Sequence, residues 1–383
     1  MPHEVDGRVH WHEPSGLSPA GRSRFLRPSL TYDRFMQDEG LPVHRATAFS
    51  DLCLLELQPW RRLGASGAFL QPFGTEGGLG CSLLRLEVSA STRAEKHLFE
   101  EVVLVLEGVG TTELWHTDGG RRVLFEWQAG SLFSIPPNAL HRMVNAGATP
   151  ALLLSGSNAA ALLNQLGDVD AVFANPLVLD NGFDDETGQA FDDIEPDPVR
   201  GLALCRTGLV PDCVRCDLPL DNRFSPGYRQ MAVAMTGAAF ACTLGEHRPG
   251  RYSRAHLLPA GLVTICLAGT GFTYLWPERL GTAPWRDGQA SEVVCVEQHM
   301  FAMTGAGPGG GRWYVQHFNT GSAPLRHLAW TIPDRPAGPP GEEIGDAPMI
   351  AYSAEDPFVR DAYARALLLS GATNRMRDDD YAP

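Results

Sequence analysis

"LEGVGTTELW" at residues 106–115 has a near twin in "LAGTGFTYLW" at residues 267–276. The two share the skeleton L-x-G-x-G-x-T-x-L-W. A second pair, "NAGATPALLL" (145–154) and "NTGSAPLRHL" (319–328), follows in the same order. The offsets are 161 residues for the first pair and 174 for the second. Two matches in one order identify an internal duplication. Each copy is built from short apolar runs such as "VVLVLEG", "RVLFEW" and "SLFSIPP", divided by Gly, Pro, Asn and Asp turns. That pattern predicts an all-β fold with a sandwich or barrel in each half.

The domain plan follows from the repeat. Residues 1–40 form an N-terminal arm, 41–166 the first barrel, 167–198 an acidic linker, 199–335 the second barrel and 336–383 a C-terminal extension. Helices are few. One is expected in "SNAAALLNQLG" (157–167). Another, over 356–370, has Pro357 in its first turn and Gly371 past its end. Phe358, Ala362, Ala366 and Leu369 are its expected packing face, and "RDDDYAP" reads as a frayed tail.

The chain has 383 residues, 44% of them hydrophobic and 20% charged, enough to bury a large core. Its net charge of −14 argues against nucleic acid or an anionic membrane as partner. No apolar run is long enough for a membrane helix and the N-terminus lacks a hydrophobic signal region, so a cytoplasmic location is expected. Cys213 and Cys216 form a lone C-x-x-C with no second pair, read as reduced thiols. "GAGPGGG" (305–311) lacks the Lys-Ser/Thr of a phosphate loop and reads as a flexible loop with the capacity to cover a pocket. His3, His10 and His12 suggest no metal site, and His116 reads as a surface histidine. Trp127, Tyr274 and Trp276 read as packing residues.

The chemistry concentrates in "EKHLFEEVVLVLEGVG" (95–110) and "GSLFSIPPNALHRMVN" (130–145). In a strand, alternate side chains share a face, so Glu95, His97, Phe99 and Glu101 would point together. The second segment would return across the barrel and bring His141 towards His97. Met143 would face the pocket, with Phe99 and Phe133 as its apolar wall, and Arg142 would face away. Imidazole and carboxylate together are donors for a divalent metal.

These two segments resemble the paired motifs of the cupin superfamily, G-x5-H-x-H-x3–4-E-x6-G and G-x5-P-x-G-x2-H-x3-N. The matching positions are His97, Glu101, Gly108, Gly130, Pro136, His141 and Asn145. Glu95 stands where the first histidine is usual and Asn138 where the turn glycine is usual. The resemblance implies tandem double-stranded β-helix (jelly-roll) barrels of the two-domain, bicupin kind, with a few peripheral helices and a homodimer. It also implies one divalent metal per chain held by His97, Glu101 and His141. Glu95 is read as a fourth ligand, a general base or a bystander, so Glu95 and Glu101 are the catalytic candidates. Fe(II) is favoured, with Mn(II), Ni(II) or Zn(II) as alternatives. In the second copy Leu258, Leu262 and Val315 replace donors and at most two imidazoles, His256 and His317, remain, so that site is expected to be degenerate. The leading expectation is an Fe(II)-type oxygenase of a small aromatic or polar organic acid. The alternatives are a non-oxidative lyase, decarboxylase or isomerase, a hydrolase, and a non-catalytic metabolite-binding protein.

Overall fold

A computed structural model describes two short strands at 3–5 and 8–10 and most of residues 29–382. Left outside are 117–121, 180–190, 192, 198–200, 239, 259–260, 287, 306, 308–310 and 332–347. Most of the glycine-rich 305–311 segment and His12 therefore lie outside the described residues.

The first half pairs an eight-stranded sheet with a three-stranded one. The larger sheet has Glu101–Glu107 and Ala151–Ser157 at its centre, followed outward by Gly80–Leu86 and Ala65–Pro72. The smaller consists of Arg122–Gln128, Val109–Trp115 and Leu140–Asn145. The second half repeats the plan with sheets of eight and five strands. The expected tandem jelly-roll architecture is what the chain adopts.

The apolar run "VVLVL" explains how the halves join. Val102, Leu104 and Leu106 belong to a core that also contains Met231, Val233, Leu244, Ile265, Leu328 and Trp330 of the second half. Their neighbours Val103 and Val105 face the other way, into the first barrel with Leu84, Phe133 and Met143. A strand dry on both faces reads as a continuous hydrophobic run rather than an alternating one. The two large sheets thus pack face to face.

Two short strands cross between the halves. Leu209–Val210 pairs with Leu132–Ile135 in the first sheet, and Ala48–Phe49 pairs with Met303–Thr304 in the second. Each sheet is completed by chain from the far side of the 167–198 segment.

The duplicated residues do the same work twice. Gly110 pairs with Asn145 and Gly271 with Asn319 across matching strands. A Cβ at Gly110 would overlap the Val144 carbonyl oxygen, and one at Gly271 that of Phe318. Asn145 Nδ2 donates to the carbonyls of Leu86, Glu87 and Thr149, while its Oδ1 accepts from the Gly147 amide. Asn319 does likewise with His247, Ala323 and Gly321. Each asparagine closes a loop whose backbone groups would otherwise be buried without partners.

Several helical readings are corrected. The arm contains a helix, Thr31–Glu39, with Tyr32, Phe35 and Met36 buried. The linker contains another, Val169–Phe173. The C-terminal helix, Pro357–Ser370, buries Val359, Tyr363 and Leu367. Phe358 and Leu369 of the expected face are 37% and 88% exposed. The face shifts by one position because Tyr363, whose hydroxyl donates to the Asn319 carbonyl, packs against Tyr252 and Phe318. The tail does not fray among the described residues. Asp378–Tyr381 is a 3-10 turn, with Asp380 paired to Arg251 at 2.9 Å. No helix among the described residues is long and apolar enough to cross a membrane.

Asn319→Ala removes three hydrogen bonds from a buried loop, so a loss of about 2–4 kcal/mol is expected from denaturant unfolding. Gly271→Ala should be at least as damaging. A midpoint unchanged in both variants would remove these residues from the account of the repeat.

Candidate metal centre in the first barrel

Glu95 and His141 face each other across an antiparallel bridge. The Glu95 amide donates to the His141 carbonyl at 3.1 Å, and the His141 amide to the Glu95 carbonyl at 2.9 Å. Residues directly opposite in such a pair present side chains on the same face. His97 arrives differently. Residues 96–100 are not a regular strand, contrary to the alternation assumed from sequence, and the regular strand begins at Glu101. The segment bends because the Leu98 amide is drawn to the Val172 carbonyl, at 3.1 Å. The His97 carbonyl accepts from the Asn138 amide at 2.6 Å. Asn138 has φ +61°, a left-handed conformation that asparagine tolerates better than most residues. Its departure from the glycine of the motif is therefore a conservative one. Its side chain also ties the turn to Asn175 and Leu177.

Both imidazoles are oriented by backbone. His97 Nδ1 donates to the Phe99 carbonyl at 2.9 Å and His141 Nδ1 to the Ala139 carbonyl at 3.2 Å. Each Nε2 then faces the interior, where it can carry a proton towards a carboxylate or give that proton up to bind a metal. His97 Nε2 lies 3.0 Å from Glu101 Oε2, and His141 Nε2 lies 3.8 Å from Glu95 Oε1. A lone pair facing a carboxylate at 3.0 Å calls for a shared proton or a cation. Donor atoms of Glu95, His97 and His141 all fall within 4.8 Å of one another, the one such trio among the described residues. The residues present fit a divalent ion. Glu101 stands just outside that trio, bonded to His97 and to the Ser155 hydroxyl.

The carboxylates sit in different fields. Burial pushes the Glu95 carboxyl above its ordinary value, opposed by Arg62 and His97. Burial also acts to raise Glu101, but the His97 hydrogen bond, His141 and the Ser155 hydroxyl outweigh it and hold Glu101 down at about 2. His141 is lowered to about 4 by burial and by His97.

A cavity of about 60 Å³ opens beside these groups. Phe99 and Met143 line it as expected, and the Phe99 ring stacks on His97 with centroids 3.6 Å apart. Phe133 does not line it, and packs instead against Phe125 and Trp127 in the barrel core. Sequence reasoning missed Tyr32 and Phe35, which the first helix brings to the cavity, and above all Arg62. Arg62 reaches Glu39 through Nε and Glu95 Oε2 through Nη1, with its guanidinium 4.6 Å above the Phe173 ring. Ser155 was legible in principle, as a polar interruption of the apolar run "ALLLSGS".

The second barrel holds more histidine than the two imidazoles expected. His247, His317 and His327 are buried together, with ring centroids 4.6–5.9 Å apart, and His256 stands 6.2 Å from His317. Two were overlooked because His247 and His327 lie on strands outside both motifs. Burial lowers all four, His256 to about 4 and His327 to about 3.

These depressed histidines set a pH response. The unfolded chain protonates them near 6.5, whereas the folded chain resists down to about 4 or below. Stability is therefore fully present above pH 6.5 and lost as pH falls towards 4. Each such histidine costs on the order of 2 kcal/mol by pH 5. The metal-free protein should melt at a markedly lower temperature at pH 5 than at pH 7.5, and a flat profile would count against neutral buried imidazoles.

No curated protein matches the sequence significantly. Residues 82–156 match the family described as "Cupin domain", a span that includes both motif segments. Solved structures with a similar chain course include a deletion mutant of Bacillus subtilis oxalate decarboxylase, 11% identical over 87% of this chain and 88% of that one, TM-score 0.47. The Lactobacillus farciminis oxalate decarboxylase formate complex is 11% identical over 85% of this chain and 96% of that one, TM-score 0.48. Residues 82–156, in the first barrel, thus carry a cupin domain, and the second half repeats the same two-sheet strand plan.

Proposed function

We propose that the first barrel is a metal-dependent enzyme site for a small carboxylic acid, and that its reaction is a non-oxidative lyase, decarboxylase or isomerase step. The observation that carries this reading is Arg62 in a small, aromatic-walled cavity beside the Glu95–His97–His141 trio. Arg62 Nε and Nη1 are engaged by Glu39 and Glu95, and Nη2 has no such partner among the described residues. That edge of the guanidinium is free to take a substrate carboxylate, the anion whose geometry it matches.

Glu95, His97 and His141 would hold the ion, with Glu95 Oε2 kept in place by Arg62 while Oε1 faces inward. A divalent ion there supplies Lewis-acid polarisation of a carbonyl or carboxylate oxygen. Glu101, ionised because its carboxyl is held down at about 2, is the proton acceptor. Its Oε1 is fixed by the Ser155 hydroxyl and its Oε2 is oriented by His97, so the carboxylate is held in one position to accept a proton from substrate. Tyr32, Phe35 and Phe99 exclude bulk water around that transfer.

The cavity also bears on the Fe(II)-type oxygenase reading. About 60 Å³ suits a few waters or a small acid, and is tight for an aromatic acid together with dioxygen.

Substrate turnover should survive strict exclusion of oxygen when the metal-loaded protein is offered small mono- and dicarboxylic acids. Turnover that requires dioxygen would sink the non-oxidative reading. Glu101→Gln should retain metal yet lose roughly 10²–10⁴-fold in kcat. Arg62→Ala should chiefly raise KM, by about tenfold or more. Equal metal uptake after His97→Ala and in the unaltered protein would remove the metal centre itself.

A further inference from the structure

A chain carrying a net charge of −14 has a groove lined by Arg215, Arg229, Arg248, Arg326 and Arg375. It lies in the second half, between the ends of the strands Arg229–Met235, Ala241–His247 and Leu325–Thr331 and the segment after the C-terminal helix. Its volume is about 660 Å³, and none of its residues lines the cavity beside Glu95. Only two carboxylates, Asp217 and Glu246, share the lining. Glu246 is committed to Arg326 at 3.3 Å. Arg215, Arg248 and Arg375 are exposed and have no carboxylate partner among the described residues.

Two further observations separate this groove from an ordinary solvated surface. Arg326 is 95% buried, and its Nε has no hydrogen-bond partner among the described residues. Its charge is balanced by Glu246, but a buried guanidinium with an incomplete set of acceptors leaves an unmet donor in the groove wall, beside the three unpaired arginines. Arg248 and Arg375 also line an adjoining depression of about 400 Å³ with Arg251 and Arg377. Of these, Arg251 is neutralised by Asp380 at 2.9 Å. The arginines thus run as a continuous band rather than as scattered surface charges.

We infer that this groove is a binding site for a small polyanion bearing two or more phosphate groups. Guanidinium forks match phosphate oxygens in pairs. No aromatic side chain lines either depression, so no ring is available to stack on a nucleobase. Recognition rests on charge and hydrogen bonding. The acidity of the rest of the chain disfavours a long polymer such as RNA, which would extend beyond the groove over repelling surface. A short anion stays within about one screening length of the arginines.

Calorimetric titration of the full-length protein with inorganic tripolyphosphate at low ionic strength tests this. Saturable binding that weakens with added salt is expected. Arg248→Ala combined with Arg375→Ala should weaken it roughly tenfold per arginine. Arg122→Ala, an exposed arginine of the first barrel with 62% of its side chain accessible, should leave it unchanged. Thermal melts establish that the double variant is folded, and Arg215→Ala alone provides a second reading of the same site. Absence of saturable binding, equal binding by the double variant, or tighter binding of a random RNA oligonucleotide than of tripolyphosphate would each overturn the proposal.

Discussion

A β-strand that is apolar on both faces can be stable in water only if both faces are covered. That constraint governs this chain. In Glu101–Glu107, Val103 and Val105 fill a barrel while Val102, Leu104 and Leu106 meet a second sheet. The partner sheet contributes Met231, Val233 and Leu244 from the other copy. Each half supplies the cover the other needs, at a gain on the order of 1.5–3 kcal/mol for each large side chain removed from water. The same central strand begins with Glu101, and Val103 lines the cavity two residues later. Glu101 is therefore mounted on a strand buried on both faces, while Glu95, His97 and His141 are brought to it by the segment before that strand and by one bridge.

The trio and its neighbours divide their tasks by the bonds each side chain has already made. Backbone carbonyls fix the imidazole tautomers. Arg62 occupies one oxygen of Glu95, and Ser155 one oxygen of Glu101. What remains open on each group points to one small space. Convergence of this kind comes from supporting residues on four separate segments, so the site is a product of the whole barrel rather than of a motif.

That division also explains what could be read in advance. The duplication, the β class and the pairing of the 95–101 and 140–145 segments were legible because Gly110, Asn145 and their repeats mark backbone constraints that only those residues meet. Glu95, His97 and His141 were legible because one local turn and one bridge bring them together. Arg62 was not, since nothing in "QPWRRL" signals that one arginine of the pair turns inward to a carboxylate 33 residues away. The helix Thr31–Glu39 was absorbed into an arm because its mean hydropathy is low and only one edge is buried. His247 and His327 were overlooked for a different reason. They replace the repeat's motif positions with donors from other strands, and a comparison anchored on motif spacing passes over them. The C-terminal helix was recognised from its end signals, but its buried face was decided by a single tyrosine reaching a loop carbonyl.

The crossed strands have a consequence for how the molecule is made. Leu209–Val210 is an edge of the first sheet, and it leaves the ribosome only after the intervening acidic segment has been synthesised. Until then the strand Leu132–Ile135 has one unpaired margin, and the outer face of its sheet still awaits the second copy. Ala48–Phe49, synthesised early, must in turn wait for Met303–Thr304. The first barrel thus emerges before the chain that finishes it, and neither large sheet has all its strands until the second copy has been made. The boundary that the duplication draws in the sequence is not a boundary along which the folded chain can be divided.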